Sequence, residues 1–288
     1  MQDALKAAPE PLIAATASTS YQVLRYDDGH IEQRDDCIAE EVPVALVYNG
    51  VSHAVMLATP QDLRDFALGF SLSEGILEHA HDLYDLEIVH QPKGIELQMQ
   101  IASERFMQLK QRRRSMSGRT GCGLCGAESL EQAMRIPASV AQIAPRVPSS
   151  DYISNHAIYL ALQNIRDQQQ LQGLTGATHA CAWVNPDGSI SLLREDVGRH
   201  NALDKLLGAR AWHADTSAGF VLTTSRASYE MVQKVASAGI TMLVAISAPT
   251  GLAIRIAQTC GVTLVGFARK QQFVVYSHAQ RILHKEVV

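Results

Sequence analysis

The apolar positions of this chain change period several times, and each change predicts an element. Glu41–Pro60, EVPVALVYNGVSHAVMLATP, holds two β-rich runs on either side of Asn49-Gly50, a pair that favours a two-residue hairpin turn. Thr59 then stands as a helix cap, with Pro60 at the first helical position and Asp62 three residues after the cap. Leu63, Phe66, Ala67 and Phe70 follow at helical spacing and predict a core-facing stripe. Leu86–Val89 and Ile95–Ile101 read as strands, and a further helical stretch ends in Arg112–Arg114. The pattern predicts a small α+β N-terminal domain over 41–114, preceded by a flexible tail over 1–40 that is broken at Pro9 and Pro11.

Residues 115–149 lose this periodicity: glycines surround Cys122 and Cys125, and Pro137, Pro145 and Pro148 follow. Long connectors are functional or disordered, so this stretch predicts a mobile, cysteine-bearing connector. From 150 to 288 the pattern is that of an α/β domain. A helix carrying Ile153, Ile158, Leu160, Ala161 and Ile165 precedes a strand at Thr178–Val184, and the turn Asn185–Gly188 leads into a second strand, Ser189–Leu193. Strand Phe220–Thr223, helix Ser228–Ala238, strand Met242–Ile246, helix Gly251–Thr259 and strand Val262–Gly266 then alternate. A βαβαβ run with strands apolar throughout predicts a mostly parallel sheet covered by helices on both faces.

Composition narrows the function classes. The chain has 288 residues, 47% hydrophobic and 19% charged, with a formal net charge of −4, so no global basic footprint points to nucleic acid or an anionic membrane. Its apolar runs fall short of the roughly 20 residues a spanning helix needs, and the N-terminus lacks a charged-then-apolar signal layout, which gives the expectation of a cytoplasmic protein. Five scattered cysteines make a poor disulfide framework and fit a reducing compartment. Cys181 and Cys260 sit among apolar neighbours and read as small buried hydrophobes, whereas Cys37 suggests no role.

In a doubly covered parallel sheet, ligands sit beyond the carboxyl ends of the strands. Three stretches fall there: Thr223–Ser228 (TTSRAS), Ser247–Gly251 (SAPTG) and Phe267–Lys270 (FARK). The first two open helices whose free N–H groups favour an anion, and Arg226, Arg269 and Lys270 add charge-assisted contacts. Ser225, Ser247 and Thr250 are therefore candidate ligand contacts, although Ser247 and Thr250 equally suit a plain helix cap. His179 either lines this pocket or bonds structurally. The run Arg194–Lys205, REDVGRHNALDK, suits a site and a buried ion-pair network equally well.

Cys122 and Cys125, in RTGCGLCGAES, form one C-x-x-C unit and supply two of the four ligands a closed zinc site needs. They follow Gly121 where zinc deaminases have proline, and no histidine has the deaminases' glutamate two residues on. A thioredoxin-like switch would sit at a helix start after a strand. Neighbouring Arg112, Arg113, Arg114 and Arg119 would depress a thiol pKa and make a thiolate available near neutral pH. Zinc, a redox pair and sulfur chemistry all remain open on spacing alone.

GRTGCGLCG at Gly118–Gly126, GATHACAW at Gly176–Trp183, EDVGRHNALDK at Glu195–Lys205, SRASYEMVQK at Ser225–Lys234 and LVGFARK at Leu264–Lys270 together resemble the FdhD family of sulfur carriers. EVPVALVYNG at Glu41–Gly50 and ALGFSLSEGI at Ala67–Ile76 extend the resemblance over nearly everything from Glu41 onward. The resemblance implies a three-layer α/β sandwich like that of cytidine deaminases. It implies a sulfurtransferase role, in which persulfide sulfur from a cysteine desulfurase of the IscS type is passed to the molybdenum bis-guanylyl pterin dinucleotide of formate dehydrogenase. Guanine nucleotides are then expected to mimic that substrate, and a homodimer is expected. By position, Cys122 becomes the persulfide-bearing nucleophile and Cys125 an assisting thiol, while Phe267, Ala268, Arg269, Lys270, Gln271 and Gln272 lie where the family binds the cofactor. The alternatives are a cofactor-binding chaperone without obligatory cysteine chemistry and a zinc-binding relative of the deaminases.

Overall fold

A computed structural model describes residues 16–116, 136–140 and 152–284, with the side chains of 112–116 left aside. Cys122, Cys125, Arg119 and the greater part of the expected connector lie outside the described residues, as do the side chains of Arg112–Arg114. No helix among the described residues is long and apolar enough to cross a membrane.

Residues expected within a loose tail form an antiparallel hairpin, β1 (Ser18–Asp27) and β2 (His30–Ala39), paired from Ser18–Ala39 to Asp27–His30. Asp28 and Gly29 both take positive φ, 44° and 84°, which matches the turn to the strand twist. Arg25 pairs across the strands with Glu32 and along its own strand with Asp27, and β2 packs against a short helix introduced below.

The next four strands form a sheet in the order β4-β3-β6-β5: β3 (Val42–Tyr48), β4 (Val51–Ala58), β5 (Leu83–Gln91) and β6 (Gly94–Ile101). Val42, Val44, Leu46 and Tyr48 alternate into the core, as a half-buried strand requires. Asn49 (φ 45°) and Gly50 (φ 78°) make the expected tight turn, and the Asn49 amide also clamps β6 by accepting from Ile101 N at 2.7 Å. Helices α1 (Leu63–Ser73) and α2 (Ser103–Met116) cover one face. Helix α1 starts later than its cap-like sequence predicts. Its N-cap is Asp62 in the left-handed region, and Thr59 is engaged elsewhere: its N–H donates to Asp196 Oδ2 at 3.0 Å, and its hydroxyl accepts from Val197 N.

The remainder is built on a six-stranded sheet ordered β13-β12-β11-β10-β8-β9. Its strands are β8 (His179–Val184), β9 (Ile190–Asp196), β10 (Phe220–Thr223), β11 (Met242–Ala245), β12 (Thr263–Arg269) and β13 (Gln272–Ser277). The expectation of a mostly parallel sheet is corrected: β10, β11 and β12 are parallel, while hairpins β8–β9 and β12–β13 flank them antiparallel. Short hairpin loops, 185–189 and 270–271, need no crossover, so the chain returns at both edges without a helix. Both faces are nonetheless apolar. Cys181, Trp183, Val221, Leu243 and Leu264 meet helices α5 (Arg199–Trp212), α6 (Tyr229–Ser237) and α7 (Gly251–Cys260). Ala182, Phe220, Leu222, Val244 and Val265 meet helix α3 (Asn155–Gln168) on the other side, giving three layers. The short helix α4 (Gln170–Thr175), against which β2 rests, links α3 to β8. A two-stranded pair, β7 (Ile153–Ser154) with β14 (Ile282–Leu283), closes that face.

Helices α1 and α5 cross in close contact and join the two sheets. Gly69 and Gly208 make this possible: a Cβ on Gly69 would stand 1.7 Å from Asp204 O, and one on Gly208 1.9 Å from Asp65 O. Neither position can carry a side chain without separating the helices.

Candidate functional site

The polar run after β9 divides by position into a scaffold and a rim. Asp196 and Lys205 are wholly enclosed and meet at 2.7 Å. Asp196 Oδ1 accepts from Gly198 N and Asn201 Nδ2, and Lys205 Nζ also donates to Thr59 O. Burial pulls the Lys205 pKa down, and Asp196 offsets this in part. One turn away, Lys234 Nζ lies 3.0 Å from both oxygens of Asp204, 2.9 Å from Ser73 Oγ and 2.7 Å from Glu74 Oε1. Burial opposes that charge, but Asp204 and Glu74 outweigh it and raise the Lys234 pKa. Glu195 accepts from the N–H groups of Leu171 and Gln172 and from Thr178 Oγ1. These carboxylates and lysines hold α1, α5 and α6 together, and their lone pairs are consumed by one another.

The carboxyl edge of β10–β12 is where the predicted loops come together. Thr224 is tied to β8, its N–H donating to Ala180 O and its hydroxyl accepting from Ala180 N at 2.9 Å. Ala227 bridges to Pro249, and Thr250 N donates to Ala227 O. Phe267 N donates to Ser247 O at 3.1 Å. Gly266 permits this approach, since a Cβ there would meet Pro249 Cδ at 2.7 Å. The three loops therefore line one rim, as their position after the strands predicts.

Individual residues on that rim do different things. Arg226, Arg269, Lys270, Gln271 and Gln272 are exposed, and the three cations have no ion pair among the described residues. Phe267 is 44% exposed at φ 51°, and Lys270 turns the β12–β13 hairpin at φ 53°. Ala268 is fully enclosed in the core facing α3, so its side chain points away from the rim while the neighbouring Phe267 side chain stays exposed. Ser225 is also buried, with its hydroxyl 3.0 Å from Thr223 Oγ1 and donating to Arg226 O, which makes it an internal brace. Thr250 caps α7 by accepting from Ala253 N at 3.3 Å, and Ser247 contributes its carbonyl to Phe267.

His179 begins β8, opposite Asp196, and stands half-buried at the same rim. Burial lowers its pKa first, and the Arg199 charge lowers it further, so the ring is held neutral. Two residues that the sequence left undecided lie beside it, both in the first turn of α5. His200 Nε2 is 2.7 Å from Glu230 Oε2 and 3.3 Å from Ser228 Oγ, and this contact depresses the Glu230 carboxyl. Arg199 makes no hydrogen bond or ion pair with any described residue, and its Nε is buried without a partner. Their alternation with scaffold residues along one helix hid them: only the helix phase separates Arg199 and His200 from Asn201, Asp204 and Lys205.

Cys181 and Cys260 are fully buried, as their apolar neighbours predict. Burial pushes the Cys181 thiol up to about 12 and the Cys260 thiol up as well, so neither offers a thiolate near neutral pH. Cys37 lies half-buried on β2.

A family model described as the FdhD/NarQ family matches residues 39–283. A protein of Cupriavidus necator named "Sulfur carrier protein FdhD" is 57% identical over 268 residues, covering 93% of this chain and 91% of that protein. One of the same name from Bordetella petrii is 51% identical over 275 residues, covering 94% and 96%. Among solved structures, one described as a formate dehydrogenase accessory protein, from Desulfotalea psychrophila, superposes with a TM-score of 0.69 at 24% identity, covering 93% of this chain and all of that one.

Proposed function

The chain belongs to the FdhD/NarQ family, and from that premise we propose that it is a sulfur carrier required for formate dehydrogenase activity. It takes persulfide sulfur from a cysteine desulfurase and delivers it to the molybdenum bis-guanylyl pterin dinucleotide. The observation that supports this most is the meeting of three strand-end loops, with Arg226, Arg269 and Lys270 free of ion pairs among the described residues, on one rim suited to a phosphate-rich ligand. The same reading includes the likeness to the cytidine deaminase fold and assembly as a homodimer in the cytoplasm.

Cys122 is the sulfur-bearing residue in this proposal. Its thiolate attacks the outer sulfur of the desulfurase persulfide, the inner sulfur leaves as the desulfurase thiolate, and the chain now carries the persulfide. In delivery, the Cys125 thiolate attacks the Cys122 sulfur, forming a Cys122–Cys125 disulfide and releasing the outer sulfur to the cofactor at the sulfide level. The burial of Cys181 and Cys260 supports the choice, because an acceptor must be accessible and ionised. Cys122→Ala, expressed in cells without another copy of the protein, is expected to yield formate dehydrogenase lacking its sulfido ligand. Normal sulfur content and activity in that background would refute the role. A cofactor-binding chaperone is the second reading, favoured by cations that converge at the rim independently of any cysteine. Full activity of Cys122→Ala and Cys125→Ala, with loss in an Arg269→Gln, Lys270→Gln double variant, would select it.

A further inference from the structure

Pro137–Val140, downstream of the two cysteines, is built into the α/β body. Val140 is fully enclosed in the core that α6 and α7 form against the six-stranded sheet. Pro137 O accepts from the thiol of Cys260, the last residue of α7, at 3.5 Å. Gly261, which ends α7 at φ 79°, lies so close that a Cβ there would stand 3.3 Å from Ser139 Oγ and 3.4 Å from Val140 Cγ2. The landing place is itself braced, since Arg281 donates to Gly261 O at 2.8 Å and to Thr263 Oγ1 at 3.1 Å. Ile136 and Ala138 are exposed, so Val140 supplies most of the apolar hold.

The opposite end of α7 belongs to the rim. Thr250 caps the helix there, next to the loop whose Ser247 carbonyl meets Phe267 N. A helix of 10 residues is about 15 Å long, so the anchor and the rim stand one helix length apart. Cys125 and Cys122 stand 11 and 14 positions before Ile136, and a chain spans at most about 3.5 Å per residue, so both thiols can reach the rim from this anchor. On its other side the same stretch leaves α2 at Met116. The cysteines therefore lie on a span of 20 residues (116–136), where without the anchor 36 residues (116–152) would separate α2 from the next described segment.

We infer that Val140, seated on the end of α7, is a positioning residue for sulfur delivery: it keeps the cysteine-bearing span close to the rim. This rests on the reading of Cys122 as the sulfur carrier and adds the residue that sets its reach. The effective concentration of a tethered group falls roughly as the −3/2 power of tether length, so lengthening the span from 20 to 36 residues lowers it about two- to threefold. Loading requires encounter with a separate desulfurase and gains nothing from the anchor.

The two steps can be timed separately in the full chain. Val140→Asp drives the anchor out of the core, Val140→Ala weakens it, Val140→Ile keeps it apolar, and Val235→Ala removes the same atoms from the same core on α6. Loading is read by mass spectrometry with a cysteine desulfurase and cysteine, and delivery by the rate at which the loaded chain activates sulfur-free formate dehydrogenase. All four variants are expected to load like the wild type. Delivery should slow about two- to threefold in Val140→Asp, less in Val140→Ala, and return in Val140→Ile. Val235→Ala should lower the melting temperature without slowing delivery. A folded Val140→Asp protein that delivers at the wild-type rate overturns the inference, as does equal slowing by Val235→Ala or loading slowed as much as delivery. Should Val140→Asp not fold, Val140→Ala against Val235→Ala decides the same question. Full activity of Cys122→Ala refutes the carrier reading, whereas an inactive Cys122→Ala with normal delivery by Val140→Asp refutes the anchor alone.

Discussion

Within twelve residues the chain builds two opposite electrostatic environments. Asp196, Asn201 and Lys205 are buried and bonded to one another, and Asp204 beside them is bonded by Lys234 and Ser73, whereas Arg199 and His200, on the intervening turn, face the rim, and Arg199 has no partner among the described residues. The contrast shows how the same residue types become scaffold or site according to helix phase alone. Positions that point toward α1 meet Thr59, Ser73 and the close Gly69–Gly208 crossing, while those at the helix start point past the end of the sheet.

Breaking the buried side of the comparison should have the largest effect. Lys205→Met leaves Asp196 enclosed without its cation and is expected to cost about 3–5 kcal/mol in denaturant unfolding. Gly208→Ala, which forces a Cβ against Asp65 O, is expected to cost about 1–3 kcal/mol and to lower the melting temperature accordingly. The open side should behave differently. Arg199→Gln removes a half-buried charge that no described residue pairs and is expected to leave stability unchanged or slightly raised, despite lying on the same helix.

The smallest effect concerns acidity at the rim. The His179 pKa is lowered in the folded chain by burial and by Arg199, so the unfolded chain binds the extra proton first. Stability is therefore fully present above the ordinary histidine value near 6.5 and declines as pH falls from there toward the lowered folded value. His179→Gln should flatten the dependence of melting temperature on pH in that window. An unchanged slope in the variant would remove His179 from the account.

Much of the architecture is legible in the sequence because it rests on local signals. Asn49-Gly50 predicts its hairpin, and the apolar runs from Phe220 onward predict β10, α6, β11, α7 and β12 in order. Asp28-Gly29 carries the same turn signal as Asn49-Gly50, yet its flanking strands are polar and mostly exposed, so no hydrophobic alternation marks them. Thr59 has the chemistry of a helix cap, but Asp196, 137 residues away, takes its N–H, and no local pattern encodes that pairing. The rim is legible as a place because strand ends are countable. Its internal assignments are not: Ala268 and Ser225 face inward, and Arg199 is distinguished from its neighbours only by the lack of a partner among the described residues.

The sulfur proposed to travel on Cys122 can be read directly. The purified chain is incubated with a cysteine desulfurase and cysteine, and its peptides are mapped by mass spectrometry without reduction. One added sulfur atom is expected on the peptide containing Cys122, absent without the desulfurase. Added sulfur confined to Cys37, Cys181 or Cys260, or none on any thiol while formate dehydrogenase is still activated, would contradict it.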